Sequence, residues 1–554
     1  MSAFAALRED AASRARTRLQ KGNGTGVKVV MQSYHSQYGD DLSLKNFDDG
    51  HDKAGADATA DDAPLSLPCF KPDDLYSYPA RTTITRLLSD YLAKHKLTVT
   101  ELIHRSDALE KFEATGTLYQ HAIQRIAVAQ AATTKKPVAQ LVKDLNELVS
   151  KAVGRVYRDH RAGTFPALEP EAFPRFAAKV AITANASYLI NGAIACHLAD
   201  ARDWDDKLTR LLGLLTGCES AETSHAKGYA LLRTSVDAIT AEILSGSAAL
   251  HELIGPHDSL GDALSTLIHL FRGEPRPDIQ CRTSIALLTR YFAADLLPDA
   301  RAALANRVMA ELKSGKKLSG ENLLEEVVAL RKVASKLATV QGKYLSQDEI
   351  IAAVTRRSQR IVTNEGLARF LHPINPPGDK LEKLLLLEDG IVGAANKRQL
   401  GGVMLLIATG QAFAAQFADA RAPVLMRLRR LYELQQLVLR STIPDPKRRE
   451  LAEVLDRIAT EVEGKARILD GLSAKAMDPV EKVQTLIKLA VNGVFTEGKL
   501  LTRARSLTLT LVNAPAFIEA FIAQSGLTET DALVELQTSL IKSGMAADTR
   551  SNSA

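Results

Sequence analysis

Two Glu-x-x-His sequences, Glu101-Leu102-Ile103-His104 and Glu222-Thr223-Ser224-His225, have the spacing with which helical bundles hold paired iron or manganese ions. One turn of helix brings carboxylate and imidazole onto the same face, and a second such motif would complete the ligand set. The bridging carboxylates that such a centre needs are missing from the uncharged stretch that begins at Val180. The second motif also sits in a Gly/Ser/Thr-rich stretch, Thr216 to Gly228. Solvated surface pairs are therefore the expectation, and no metal ligand, cofactor or catalytic residue is assigned.

Asp200, Asp203, Asp205 and Asp206 cluster around Trp204, an arrangement similar to the way all-helical enzymes bind a diphosphate through Mg²⁺. Acids beside a turn also complement the positive end of a helix that starts there. An all-helical enzyme with a metal or diphosphate site near Asp200–Asp206 stands as one alternative function.

The third group is basic. Arg421, Arg427, Arg429, Arg430, Lys447, Arg448 and Arg449 crowd one stretch together with Arg440, against Glu433 and Asp445. Such a cluster can neutralise phosphates, which makes a nucleic-acid-associated regulator the other alternative, although a charge run on a helix is more often a solvated face. No Gly-rich phosphate loop, nucleophile elbow, zinc-protease pair or kinase signature occurs in the sequence.

The elements that would position these groups are helical. The chain has 554 residues, 46% of them hydrophobic and only 5% aromatic, and its apolar residues recur mostly at three- and four-residue spacing from near Thr82 to Gly544. That pattern predicts an all-α fold with more than one core. Three matches fall on one diagonal: Ala199–Arg202 with Ala418–Arg421, Val236–Ile243 with Leu455–Val462, and Thr266–Leu270 with Thr485–Leu489, each 219 residues apart. Two intervals without Asp, Glu, Lys or Arg, Val180–Ala199 and Gln399–Ala418, keep the same offset. A tandem duplication of a multi-helix unit is the reading, over residues 79–302 and 303–530, with the two uncharged intervals as equivalent buried helices. Asn185, Asn191 and His197 in one interval, and Thr409, Gln411 and Gln416 in the other, argue against a membrane span. Polar pairs at matching positions, Asp200/Arg202 with Asp419/Arg421 and Asp237/Glu242 with Asp456/Glu461, are expected to lock helix ends rather than to contact a ligand.

Ahead of the helical body, residues 1–20 read as a short amphipathic helix with Phe4, Leu7, Ala11, Ala15 and Leu19 on its apolar stripe. Residues 21–78 read as a disordered acidic linker, since ten Asp and three Lys fall between Asp40 and Asp74. Residues 531–554 read as a helix end and tail. Scattered cysteines (Cys69, Cys196, Cys218 and Cys281) and an N-terminus without an unbroken apolar run lead to a cytoplasmic expectation. The function expected is that of an intracellular scaffold, adaptor or regulatory protein acting through protein–protein interaction, with the Phe4/Leu7/Ala11/Leu19 stripe as a partner-binding element.

Overall fold

The computed structural model describes residues 68–216, 226–274, 282–320, 322–340, 342–514, 516–526 and 528–546. The stripe of Phe4, Leu7, Ala11 and Leu19, the motif Glu222/His225, and Cys218 and Cys281 lie outside the described residues. Within them every regular element is an α- or 3-10 helix, as the periodicity requires. The chain divides into two compact units, one reaching to Lys316 and including Lys336–Gln347, the other comprising Lys317–Ser335 and the residues from Asp348 on.

In the first unit, regular structure is present within residues that the run of prolines and acids assigns to a linker. Pro72–Tyr76 is a 3-10 turn and Tyr78 begins the first α-helix. The Asp74 carboxylate accepts the backbone N–H groups of Phe70 and Lys71, and Asp73 pairs with Arg155 at 2.5 Å. The pairing partner comes from Val138–Arg161, a helix whose buried residues Leu141, Leu145, Leu148, Ala152 and Val156 follow one face.

The centre of this unit is the helix Ala226–Ser245, packed against Pro298–Lys313, Phe173–Val180 and Trp204–Thr216. Leu232, Val236, Ile239 and Ile243 form its most buried stripe. Gly228 lies against the backbone of Phe173–Val180, where a Cβ would come within 2.5 Å of Ala178 N.

In the second unit the helix Asp445–Ala466 packs against Val424–Arg440 and Ala394–Thr409. Its buried stripe is Leu451, Leu455, Ile458 and Val462, each 219 residues beyond a member of the first stripe. One further pair of helices, Leu260–Arg272 and Pro479–Val491, has bounds 219 residues apart.

The uncharged intervals depart from expectation. Neither is one buried helix. Val180–Ala199 contains a turn before the helix Ala186–His197, and Gln399–Ala418 is broken by Gly410 into Ala394–Thr409 and Gln411–Ala418, bent by 51°. Lack of charge marks burial only on average: in the first interval Tyr188 and residues 190–195 are buried but residues 182–185 are exposed, and in the second Leu400, Met404, Phe413 and Phe417 are buried while Thr409, Gln411 and Ala412 are exposed. Among the described residues no single helix is long and apolar enough to cross a membrane, while two bent helix pairs have that combined length and composition.

Candidate functional site

Glu101 begins its own helix. Its N–H donates to Thr98 Oγ1 at 3.1 Å and its Oε2 accepts Thr98 N–H at 2.9 Å, a reciprocal cap on Val99–His104. The same carboxylate takes Lys207 Nζ at 2.5 Å on each oxygen and Arg105 Nη1 at 3.1 Å. With both oxygens engaged by two cations, Glu101 has no lone pair directed at a metal. Lys207 projects from the apolar face of Trp204–Thr216 among Leu208, Leu211 and Leu212. Burial pulls its amine below the ordinary lysine range, against the attraction of Glu101.

His104 sits one turn on. Its Nδ1 lies 2.8 Å from Thr100 O, and because a carbonyl only accepts, the ring proton resides on Nδ1. Nε2 is buried without a hydrogen-bond partner. The ring packs among Tyr76, Tyr188 and Phe165 at centroid distances of 5.2, 5.0 and 5.9 Å. Burial, reinforced by Arg81 and Arg155 and opposed by the Thr100 carbonyl, takes its pKa to about 3, so the imidazole is neutral.

Next to it Arg155 lies 3.6 Å above the Tyr188 ring, and Tyr188 Oη donates to Asp159 Oδ2 at 2.6 Å. A cleft of about 290 Å³ opens beside these groups, lined by His104, Arg105, Asp107, Asp159, His160 and Cys196. Burial raises the Cys196 thiol above its usual range, only partly offset by Arg105, so the thiolate that nucleophilic attack requires is disfavoured. A neutral imidazole, paired carboxylates and a protonated thiol equip this cleft to fix helix positions.

The acidic cluster disperses onto different partners. Asp203 Oδ1 accepts Asp206 N–H at 2.8 Å, Asp206 holds Arg202 N–H and Arg210, and Asp205 accepts the Ser284 hydroxyl. Asp200 is exposed, and its carbonyl accepts Arg210. Among the described residues no three His, Cys, Asp or Glu side chains converge as a metal-ligand group.

The basic stretch is largely neutralised where it stands. Arg421 pairs with Asp419, Arg429 with Glu433, Arg430 with Asp379 and Glu382, Lys447 with Glu450, and Arg448 and Arg449 with Asp445. Arg427 donates to Phe417 O. Six bases thus share six carboxylates, two of which, Asp379 and Glu382, come from a helix about fifty residues earlier in the chain.

Of the matched polar pairs, Asp419 and Arg421 bond to each other, whereas Arg202 reaches to Asp206. Asp237 and Asp456 play like roles. Asp237 accepts the N–H groups of Asp299 and Ala300 at the start of Pro298–Lys313, and Asp456 those of Lys499 and Leu500 at the start of Lys499–Val512. The helices they cap are not 219 residues apart. Glu242 is a buried lock, joined to Arg81 at 2.9 Å and to Thr100, but Glu461 is exposed and the buried acid is Glu463, bonded to Leu469 N–H and Arg503.

Sequence reasoning passed over Lys207 and Arg81. Lys207 carries a readable signal, a lone base on an otherwise apolar helical stripe, which in a folded chain demands a buried acid. No protein family, characterised protein or solved structure matches this chain.

Proposed function

We propose that the chain is an intracellular helical scaffold or adaptor that acts through protein–protein interaction. The observation that carries this reading is the surface around the basic stretch. Six of its bases share six carboxylates, Arg427 donates to the Phe417 carbonyl, and between Arg421 and Arg427 stand Leu425 and Met426, 44% and 66% exposed. A surface whose positive charge is mostly compensated and which carries adjacent exposed apolar side chains suits a protein partner better than a phosphate backbone, which rewards uncompensated positive charge. The stripe of Phe4, Leu7, Ala11 and Leu19 adds a second docking element, and the shared buried stripes at offset 219 support descent of the two units, about 79–302 and 303–530, from one duplicated ancestor.

The test compares full-length protein with Leu425→Glu/Met426→Glu and with a chain lacking residues 1–20, using affinity capture from the source cells and gel retardation of DNA and RNA at low salt. The reading requires that each change removes a defined set of captured proteins at unchanged thermal stability. Retardation of nucleic acid that weakens steeply with salt, and disappears in Arg427→Ala/Arg429→Ala/Arg430→Ala, would transfer the surface to nucleic-acid binding.

A further inference from the structure

Residues 68–77 pack against helix Val138–Arg161 in the first unit and stay largely at its surface. No residue of the 3-10 turn Pro72–Tyr76 is buried, Phe70 is 78% exposed and the Asp73 side chain 69% exposed. The contact with the helix is also incomplete. Pro68, Cys69 and Phe70 meet Leu141, Leu145 and Leu148 around a cavity of about 260 Å³, so apolar atoms on both sides lack the partners that close packing supplies.

Asp73 and Tyr76 fasten the segment. Asp73 pairs with Arg155 at 2.5 Å, and the Tyr76 ring lies 4.9 Å from the Tyr188 ring and 5.2 Å from that of His104. An ion pair with one partner this open to water is weak and is screened by salt. The turn holds its own shape: the Asp74 carboxylate accepts the N–H groups of Phe70 and Lys71, and Ser77 Oγ donates to Asp74 O at 2.6 Å, all within the segment. Ser77, at φ −68° and ψ 151°, is an extended residue between this turn and helix Tyr78–Leu87. The surface beneath is likewise self-supporting. Arg155 has contacts that do not involve the segment, with the Tyr188 ring at 3.6 Å and Asp159 at 3.7 Å, and Tyr188 is bonded to Asp159.

We propose that residues 68–77 form a latch that swings as a preformed piece about Ser77, withdrawing Asp73 from Arg155 and Tyr76 from the Tyr188 ring, and so uncovers Leu141, Leu145 and Leu148 while the rest of the unit stays folded. Few buried contacts, an unfilled space beneath and a screened ion pair place the free energy of this opening below that of global unfolding. Access to the leucine row is thereby governed by an ionic contact that salt weakens, and not by the core.

Cys69 rides on the latch, and burial, with Asp74 adding to it, pushes its thiol up to about 11, so alkylation at neutral pH runs through the open form. Full-length protein carrying Cys196→Ser, Cys218→Ser and Cys281→Ser keeps Cys69 as its one thiol. Its reaction with iodoacetamide is followed at fixed pH against urea and salt. Hydrogen exchange of peptides spanning residues 68–78 and 141–152, on the chain with all its cysteines, reads the same opening without those substitutions. Labelling of Cys69 and exchange at 68–78 are expected to depend on urea much less steeply than global unfolding does, and to quicken as salt rises from about 50 to about 500 mM. Asp73→Asn should quicken both by about two- to fivefold, the range for losing an exposed ion pair, and abolish the response to salt, while Tyr76→Ala, which gives up the ring contact, should quicken them about tenfold. In neither variant does exchange at 141–152 accelerate in parallel. Urea slopes equal to that of global unfolding, rates indifferent to Asp73→Asn, or parallel acceleration at 141–152 would make the segment a fixed part of the core and overturn the proposal.

Discussion

Lys207 Nζ stands 2.5 Å from both carboxylate oxygens of Glu101, across 106 residues of chain, with side chains 3% and 0% exposed. Two charges withdrawn so far from water tie Val99–His104 to Trp204–Thr216 and leave little tolerance for losing one partner. Glu101→Gln or Lys207→Met alone is expected to destabilise the first unit by about 3–5 kcal/mol, because the remaining charge is left buried and uncompensated. The double variant Glu101→Gln/Lys207→Met should recover part of that loss, through removal of the second desolvated charge. Chemical denaturation of the four proteins closes the cycle, and additive losses in the double variant would show that the two residues do not act as a pair.

His104 makes stability depend on pH in a defined direction. Its folded pKa is about 3, below the value near 6.5 of an unfolded histidine, so between these limits the unfolded chain binds a proton that the native one refuses. Its contribution is fully present above about pH 6.5 and is lost as pH falls toward 3, at up to about 1.4 kcal/mol per pH unit. His104→Phe keeps an aromatic ring among Tyr76, Tyr188 and Phe165 and removes the titration. The stability difference between wild type and variant is expected to rise with pH through that window and then level, and a difference independent of pH would contradict the buried neutral imidazole.

Periodicity makes the helices readable in the sequence, because burial of one face imposes three- and four-residue spacing wherever a helix packs. The 219-residue offset likewise carries through to the buried stripes of Ala226–Ser245 and Asp445–Ala466. The helices that Asp237 and Asp456 cap do not obey that offset, since which neighbour a mid-helix carboxylate reaches depends on packing that no local pattern records. The Glu-x-x-His motif was legible as a turn of helix carrying two polar groups, but the partner that decides its role, Lys207, lies 106 residues away. The charge balance of the basic stretch is hidden for the same reason. Asp379 and Glu382, which neutralise Arg430, are distant in sequence and close in space.

Gly228 permits the close approach of Ala226–Ser245 to Phe173–Val180. A Cβ there would stand 2.5 Å from Ala178 N and 2.8 Å from Ala178 Cα, and backbone cannot rotate aside as a side chain can. Gly228→Ala gains helix propensity, worth about 1 kcal/mol, yet must separate two packed helices at about 1–3 kcal/mol or more. A net loss of stability is expected. The control is Gly154→Ala, in a helix where a Cβ meets nothing within 4 Å, and this change should be neutral to stabilising. Thermal melts in which both variants gain stability would show that the crossing can relax.

Asp456 gathers Thr496 Oγ1 at 2.7 Å and the N–H groups of Lys499 and Leu500 at 2.6 and 3.3 Å, fixing the start of Lys499–Val512 from the middle of Asp445–Ala466. Gly498 must stand beside it, for its φ is +138° and a Cβ would lie 2.3 Å from Asp456 Oδ2. Asp456→Ala removes all three acceptor contacts, and Gly498→Ala displaces the carboxylate. Each is expected to cost about 2 kcal/mol or more, lowering the melting temperature by several degrees. Asp237 serves Pro298–Lys313 in the same manner, but burial and the neighbouring Asp299 push its carboxyl up to about 7. A folded pKa above the unfolded value near 3.9 means that the native state holds a proton the unfolded chain has released, so the stability that Asp237 lends is greatest at low pH and falls as pH rises toward 7. Asp237→Asn keeps a neutral acceptor at that helix start, and relative to wild type it is expected to gain as pH rises from about 4 to 7. Urea midpoints measured across that interval decide the matter: a relative loss with rising pH would place an ionised carboxylate at the cap.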